Sequence, residues 1–207
     1  MIDIEDIRRA QRRLDGHIHR TPVLGSRTLS DRIGATVLMK VEAFQRTGSF
    51  KVRGVLNRLH NMTAEERERG LVTVSAGNHA QAVAYGAALE GVRATVVMPD
   101  LASPAKVQAC RDYGADVVLH GDVFAAFARM EELREQHGYT LVHPFDDPHV
   151  IAGQGTVGLE MCEDLPDVDV VVVPVGGGGL LSGVATAVRA LQPRARIIGV
   201  EPAGAPA

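Results

Sequence analysis

Three glycines frame the middle of this chain. Gly91, Gly114 and Gly138 fall 23 and 24 residues apart, and each closes a helical pattern and opens an apolar run. A glycine just past a helix end adopts the left-handed conformation that stops the helix without strain. The interval holds one helix and one strand, so the sequence reads as repeated βα units. Strands are predicted at 71–75, 94–99, 116–120 and 140–143, with helices at 78–90, 104–113 and 122–137 between them. Ser103 is placed as the N-cap of the second helix, with Pro104 at its first position. In the third helix Phe124, Phe127, Met130 and Leu133 recur every three residues, a pattern read as a packing stripe. Such alternation builds an α/β fold in which a mostly parallel sheet carries helices on both faces.

Further strands are predicted at 36–42, 168–175 and 196–200, and helices at 50–60 and 180–191. The reading is two-lobed, with 69–150 as the small lobe, 1–68 and 151–207 as the large one, and a cleft between them. The 19 uncharged residues 170–188 are long enough to span a membrane, yet Pro174 and four consecutive glycines make them a strand, a loop and a helix. A net charge of −3 gives no reason to expect nucleic acid or an anionic membrane as partner. The pairs Arg8/Arg9 and Arg12/Arg13 read as a solvated helix face. Cys110 and Cys162 have no partner at metal or disulfide spacing, and no signal peptide follows Met1, so the expected compartment is the cytoplasm.

Three segments carry chemistry. The first is Thr47-Gly48-Ser49-Phe50-Lys51, which opens the helix at 50–60. The chain has three lysines, Lys40, Lys51 and Lys106, against 19 arginines. Where charge alone suffices it uses arginine, so a lysine in a glycine-flanked turn points to a primary amine that can add to a carbonyl. The ordinary reading is a surface lysine at a helix start. The second segment is Ser75-Ala76-Gly77-Asn78-His79, where a strand turns into a helix. Strand ends of open α/β sheets bind ligands, and N–H groups at a helix start favour a carboxylate. Plain helix capping is the alternative. The third is Gly176-Gly177-Gly178-Gly179 before Leu180, a turn through which backbone N–H groups can surround a phosphate; a flexible loop is the alternative. It lacks the Gly-Lys-Ser/Thr of a nucleoside triphosphate loop and fits a dinucleotide fingerprint poorly. Amine, carboxylate turn and phosphate cup together indicate pyridoxal 5'-phosphate with an amino-acid substrate.

The chain resembles the threonine dehydratase and serine racemase family, pyridoxal-phosphate enzymes of the tryptophan-synthase β fold type (fold type II). The resemblance rests on Phe44-Gln45-Arg46-Thr47-Gly48-Ser49-Phe50-Lys51-Val52-Arg53-Gly54, on Ser75 to Ala80, on His143-Pro144-Phe145-Asp146-Asp147, on Ile151 to Thr156 and on Val173 to Gly179. It implies that Lys51 holds the cofactor and removes the substrate's α-proton, that Phe50 packs on the ring, and that Asn78 bonds the ring hydroxyl. It implies further that Gly176, Gly177, Gly178, Gly179 and Leu180 bind the phosphate. Ser75, Ala76, Gly77, Asn78 and His79 would hold the substrate carboxylate. The larger lobe would then be the cofactor-binding one, and the activity a β-elimination, most readily of L-threonine to 2-oxobutanoate and ammonia, with L-serine as a further substrate.

Two features bear on that expectation. Racemases of the family carry a second serine where this chain has Ala76, and alanine holds no proton, which favours the dehydratase over the racemase. Glu201 matches one carboxylate of a divalent-cation site, but its second falls at Ala207, so no metal is expected. The family continues beyond the last residue, leaving the larger lobe incomplete. A homo-oligomer, or association through that incomplete lobe, follows as the expected assembly, and a silent or partner-dependent fragment is the competing reading.

Overall fold

The computed structural model describes residues 1–204. The chain runs through α1 (Ile4–Leu14), β1 (Val23–Gly25), α2 (Arg27–Ile33) and β2 (Leu38–Lys40), then two 3-10 turns at Glu42–Phe44 and Arg46–Gly48. Helices α3 (Lys51–His60) and α4 (Ala64–Arg69) lead into β3 (Leu71–Val74), α5 (Asn78–Glu90), β4 (Ala94–Met98), α6 (Pro104–Asp112), β5 (Asp116–Leu119), α7 (Val123–His137) and β6 (Thr140–Leu141). The last elements are α8 (Pro148–Asp164), β7 (Val170–Pro174), α9 (Gly179–Leu191) and β8 (Arg196–Val200).

Strands β3 to β6 form a parallel sheet in the order β5-β4-β3-β6. Side chains alternate between its faces. Leu71, Val96 and Met98 pack with α3, α5 and α6, whereas Val72 and Val97 pack with Ala126, Met130 and Leu133 of α7. Burial on both sides explains why the sequence shows apolar runs here instead of strict alternation. Gly91, Gly114 and Gly138 have φ of 64°, 84° and 67°, as the helix-stop reading requires. The α/β class and the parallel sheet are therefore as expected.

Other details differ. The strand predicted at 36–42 shortens to β2 and pairs antiparallel with β1, while β7 pairs parallel with β8, giving two separate two-stranded sheets. The sequence reading contains no β1, α2, α4 or α8. Strand β1 has three residues and α2 and α4 have about two turns each, too short to show a period, and α8 carries Gly153, Gly155 and Gly158, which lower helix propensity. Close packing supplies what propensity lacks. Ser103 caps α6 through its carbonyl, which accepts from the N–H groups of Lys106 and Val107, and its side chain makes no cap bond. The α7 stripe splits: Met130 and Leu133 are buried, but Phe124 is 85% and Phe127 47% exposed. A three-residue step turns about 60° short of a full circle, so four such residues sweep half the helix circumference.

Helices α3, α8 and α9 pack unusually close. A Cβ on Gly183 would lie 2.5 Å from the Gly155 nitrogen and the Ile151 carbonyl, and one on Gly153 would lie 2.5 Å from the Arg53 carbonyl. Helix α3 thereby rests on α8 along one side and contributes Val52, Val55, Leu56 and Leu59 to the core under the four-stranded sheet on the other.

Candidate active site

Lys51 is the first residue of α3, directly after a turn in which Thr47 and Gly48 both have positive φ, 63° and 71°. For threonine that conformation costs about 1–2 kcal/mol, so the surroundings impose it. Lys51 Nζ donates to the Pro144 carbonyl at 2.7 Å and lies 5.4 Å from the centre of the Phe50 ring. Burial pushes its amine down to about 8, within reach of the neutral form that chemistry at a carbonyl needs.

The segment 142–145 brings the three sequence-predicted pieces together. Its Val142 carbonyl accepts from His79 Nε2 at 3.0 Å, tying down the turn after β3. That bond places the proton on Nε2 and leaves Nδ1 bare, and Nδ1 is buried without a partner. Burial, then the nearby Lys51 and His143 charges, lower His79 to about 3 against the pull of the Val142 carbonyl, so the ring is neutral. Next in the segment, Pro144 holds Lys51, and Phe145 lies on the glycine turn. A Cβ on Gly177 would sit 2.2 Å from the Phe145 ring, and one on Gly179 2.8 Å from the Phe145 carbonyl oxygen. Over Gly176 and Gly178 a Cβ would meet nothing within 4 Å. Two of the four glycines thus admit Phe145, and two leave space.

Three helix N-termini belong to the predicted pieces: α3, α5 and α9. Phe50, Gly77 and Gly178 hold their N-cap positions, and none makes a side-chain cap bond. By contrast Asp3, Ser26, Thr63, Asp122 and Asp147 cap α1, α2, α4, α7 and α8 through their side chains. The helix starts at the site leave N–H donors for something else. Ser75 does not cap α5; its Oγ accepts from the Gly77 N–H at 3.1 Å and stiffens the turn, in which Ala76 and Asn78 are exposed. Leu180 is the second residue of α9.

These residues fit pyridoxal phosphate. An amine of lowered basicity stands ready for the aldehyde, and the space over Gly176 and Gly178 faces uncapped N–H groups for a phosphate. The hydroxyls of Thr47 and Ser49, in the turn before Lys51, are buried without partners.

Sequence reasoning misses the charges beneath the site. Arg53, fully buried two residues after Lys51, meets Glu42 through Nε and Nη2 at 2.9 and 2.8 Å and Glu160 through Nη1 and Nη2 at 2.7 and 3.0 Å. Lys40 adds a bond to Glu160 at 2.7 Å and one to the Thr21 carbonyl at 2.7 Å. The available signal is Glu160 itself, the single charge between residues 150 and 162. Glu201 follows β8, and position 207 lies outside the described residues. Among the described residues no cluster of His, Cys, Asp or Glu suits a metal, and no helix is long and apolar enough to cross a membrane.

A poised amine under a parallel α/β scaffold, beside a glycine turn at a helix start, defines a class, the enzymes that work through pyridoxal phosphate. The chain belongs to the pyridoxal-phosphate dependent enzyme family, whose model matches residues 14–207. Within it, the chain is 51% identical over 202 residues to the L-threonine ammonia-lyase of Thermotoga maritima, covering 97% of itself and 50% of that protein. It is 48% identical over 201 residues to the L-threonine dehydratase catabolic TdcB of Escherichia coli K12, covering 97% of itself and 61% of that protein. Among solved structures it superposes on the processed form of threonine deaminase isoform 2 from Solanum lycopersicum with a TM-score of 0.89 and 40% identity, over 98% of this chain and 61% of that one. Serine racemase from Dictyostelium discoideum gives 0.92 and 40%, over 98% and 66%. The chain spans about half to three fifths of the length of the curated relatives it matches.

Proposed function

We propose that this chain carries the lysine, carboxylate and phosphate parts of an L-threonine ammonia-lyase, which releases 2-oxobutanoate and ammonia and also accepts L-serine. The observation that carries the reading is Lys51, a half-buried amine of lowered basicity held by the segment 142–145, which also touches the turn before α5 and the glycine turn before α9. The names of the relatives support threonine as substrate.

Bound pyridoxal phosphate supplies an electron sink that makes the substrate's α-proton removable. The chain's residues do the rest. Gly176 to Gly179 and the Leu180 N–H hold the phosphate, Phe50 packs on the ring, and Asn78 faces the ring hydroxyl. Ser75, Ala76, Gly77, Asn78 and His79 orient the substrate carboxylate at the start of α5. Lys51 Nζ takes the α-proton, and neutral His79 adds no charge of its own beside it. On this reading residues 69–150 form the small lobe, and 1–68 with 151–207 form the large, cofactor-binding one.

Ala76 sets dehydration above racemisation, since it offers no proton for the second face of the α-carbon. Burial raises the thiol of Cys110 to about 11 and that of Cys162 above its ordinary range, inert cysteines that suit the cytoplasm.

The test is to add pyridoxal phosphate to the chain and to its Lys51→Ala variant and record visible spectra, then assay ammonia release from L-threonine. A band that needs Lys51, followed by ammonia and 2-oxo acid, is the expected result. Inversion of L-serine without ammonia would select the racemase. A folded chain with no band would select the partner-dependent fragment.

A further inference from the structure

Asn78, the first residue of α5, has a side-chain amide that can present either an acceptor or a donor to a ligand. One neighbour settles which. Lys106, in the first turn of α6, donates from Nζ to Asn78 Oδ1 and, at 3.2 Å, to Gln81 Oε1. An ammonium has three donors and no lone pair, so the atom facing it is the amide oxygen. Asn78 Nδ2 and its two hydrogens are thereby turned away from the ammonium, and no protein acceptor takes them among the described residues. Both partners of Lys106 are neutral amides, and it makes no ion pair among the described residues. It is also one of only three lysines.

From this geometry we propose that Lys106 is a positioning residue, which locks Asn78 with its N–H toward the ligand and so makes the site favour an ionised ring oxygen on the cofactor. The inference rests on the proposed function, in which pyridoxal phosphate binds at Lys51 with its ring hydroxyl at Asn78. An N–H donated to an oxygen stabilises its deprotonated form, and a freely rotating amide would offer its carbonyl as often. Lys106 needs no contact with the ligand for this. The ammonium acts through the amide it orients.

Two probes separate the effect from plain charge or folding: pyridoxal phosphate, and its analogue with hydrogen in place of the ring hydroxyl. Binding of each is measured by calorimetry for the unaltered chain, Lys106→Met, Lys106→Arg, Asn78→Ala and the double variant Lys106→Met/Asn78→Ala, with thermal melts to verify folding. We expect Lys106→Met to weaken pyridoxal phosphate binding about tenfold and to leave the deoxy analogue within about twofold. Lys106→Arg, still a donor-only cation, retains most of the affinity. In the Asn78→Ala background the Lys106 change has no further effect. Equal weakening of both probes, or an undiminished Lys106 effect without Asn78, overturns the proposal. An unaltered chain with no Lys51-dependent visible band overturns the reading beneath it as well, and that spectrum is recorded first.

Discussion

Lys51 is kept at a cost in stability. Its ordinary value of 10.5 falls to about 8 in the fold because burial disfavours the charged amine. Between these values the unfolded chain takes up a proton that the folded chain refuses, so stability drops as pH falls from about 10.5 to 8 and stays at the lower level below that. Lys51→Met is expected to raise stability at pH 7 by about 1–2 kcal/mol, after the lost bond to Pro144 is set against relief of the buried charge. The gain should vanish as pH rises from about 8 and turn into a loss by about pH 10.5, where the neutral amine costs nothing and keeps its bond to Pro144; thermal melts of both proteins at the two pH values check it. Lys51 was legible in the sequence because lysine is rare there and sits in a glycine-flanked turn. Arg53, two residues on, was not, since nothing local pairs it with residues 42 and 160. The roles of Pro144 and Phe145 were equally hidden, because one acts through a carbonyl and the other through where its ring lies.

At the scale of elements, the glycines divide into two kinds. Gly155, Gly158 and Gly183 let α8 and α9 touch backbone to backbone, and Gly183→Ala would press a methyl to 2.5 Å from main-chain atoms. It is expected to destabilise the fold by about 2–3 kcal/mol, read as a lower urea midpoint with unchanged slope. Gly176→Ala enters open space in ordinary backbone conformation, so the melting temperature should hold while affinity for pyridoxal phosphate falls about tenfold or more. The repeated βα units were legible from Gly91, Gly114 and Gly138 because a helix stop is a local event. The antiparallel pairing of β1 with β2 was not, for three-residue strands leave no period. Helix α8 was hidden by the same glycines that its packing requires.

Across the whole molecule, Arg53 joins segments far apart in sequence: the His19 carbonyl, Glu42, Thr156 and Glu160 all converge on one guanidinium. Arg53→Met leaves Glu160 to Lys40 and Glu42 with the Thr21 hydroxyl but no cation, and is expected to cost about 3–5 kcal/mol in urea unfolding. Arg53→Lys should recover only part of this, since a point charge does not reproduce four forked bonds. On the outside, β7 and β8 expose Val170, Val172, Ile198 and Val200 on one face, with Val172 opposite Ile198. The self-association expected of this chain should weaken when Val172 and Ile198 both become threonine, seen as a lower sedimentation coefficient at equal concentration. The three lysines have a practical consequence. Lys40 is sealed among carboxylates, so amine-directed reagents find little besides the N-terminus, Lys51 and Lys106. Coupling to an amine-reactive support fastens most enzymes by an indifferent surface. This one it would fasten by its N-terminus or by the mouth of the candidate site.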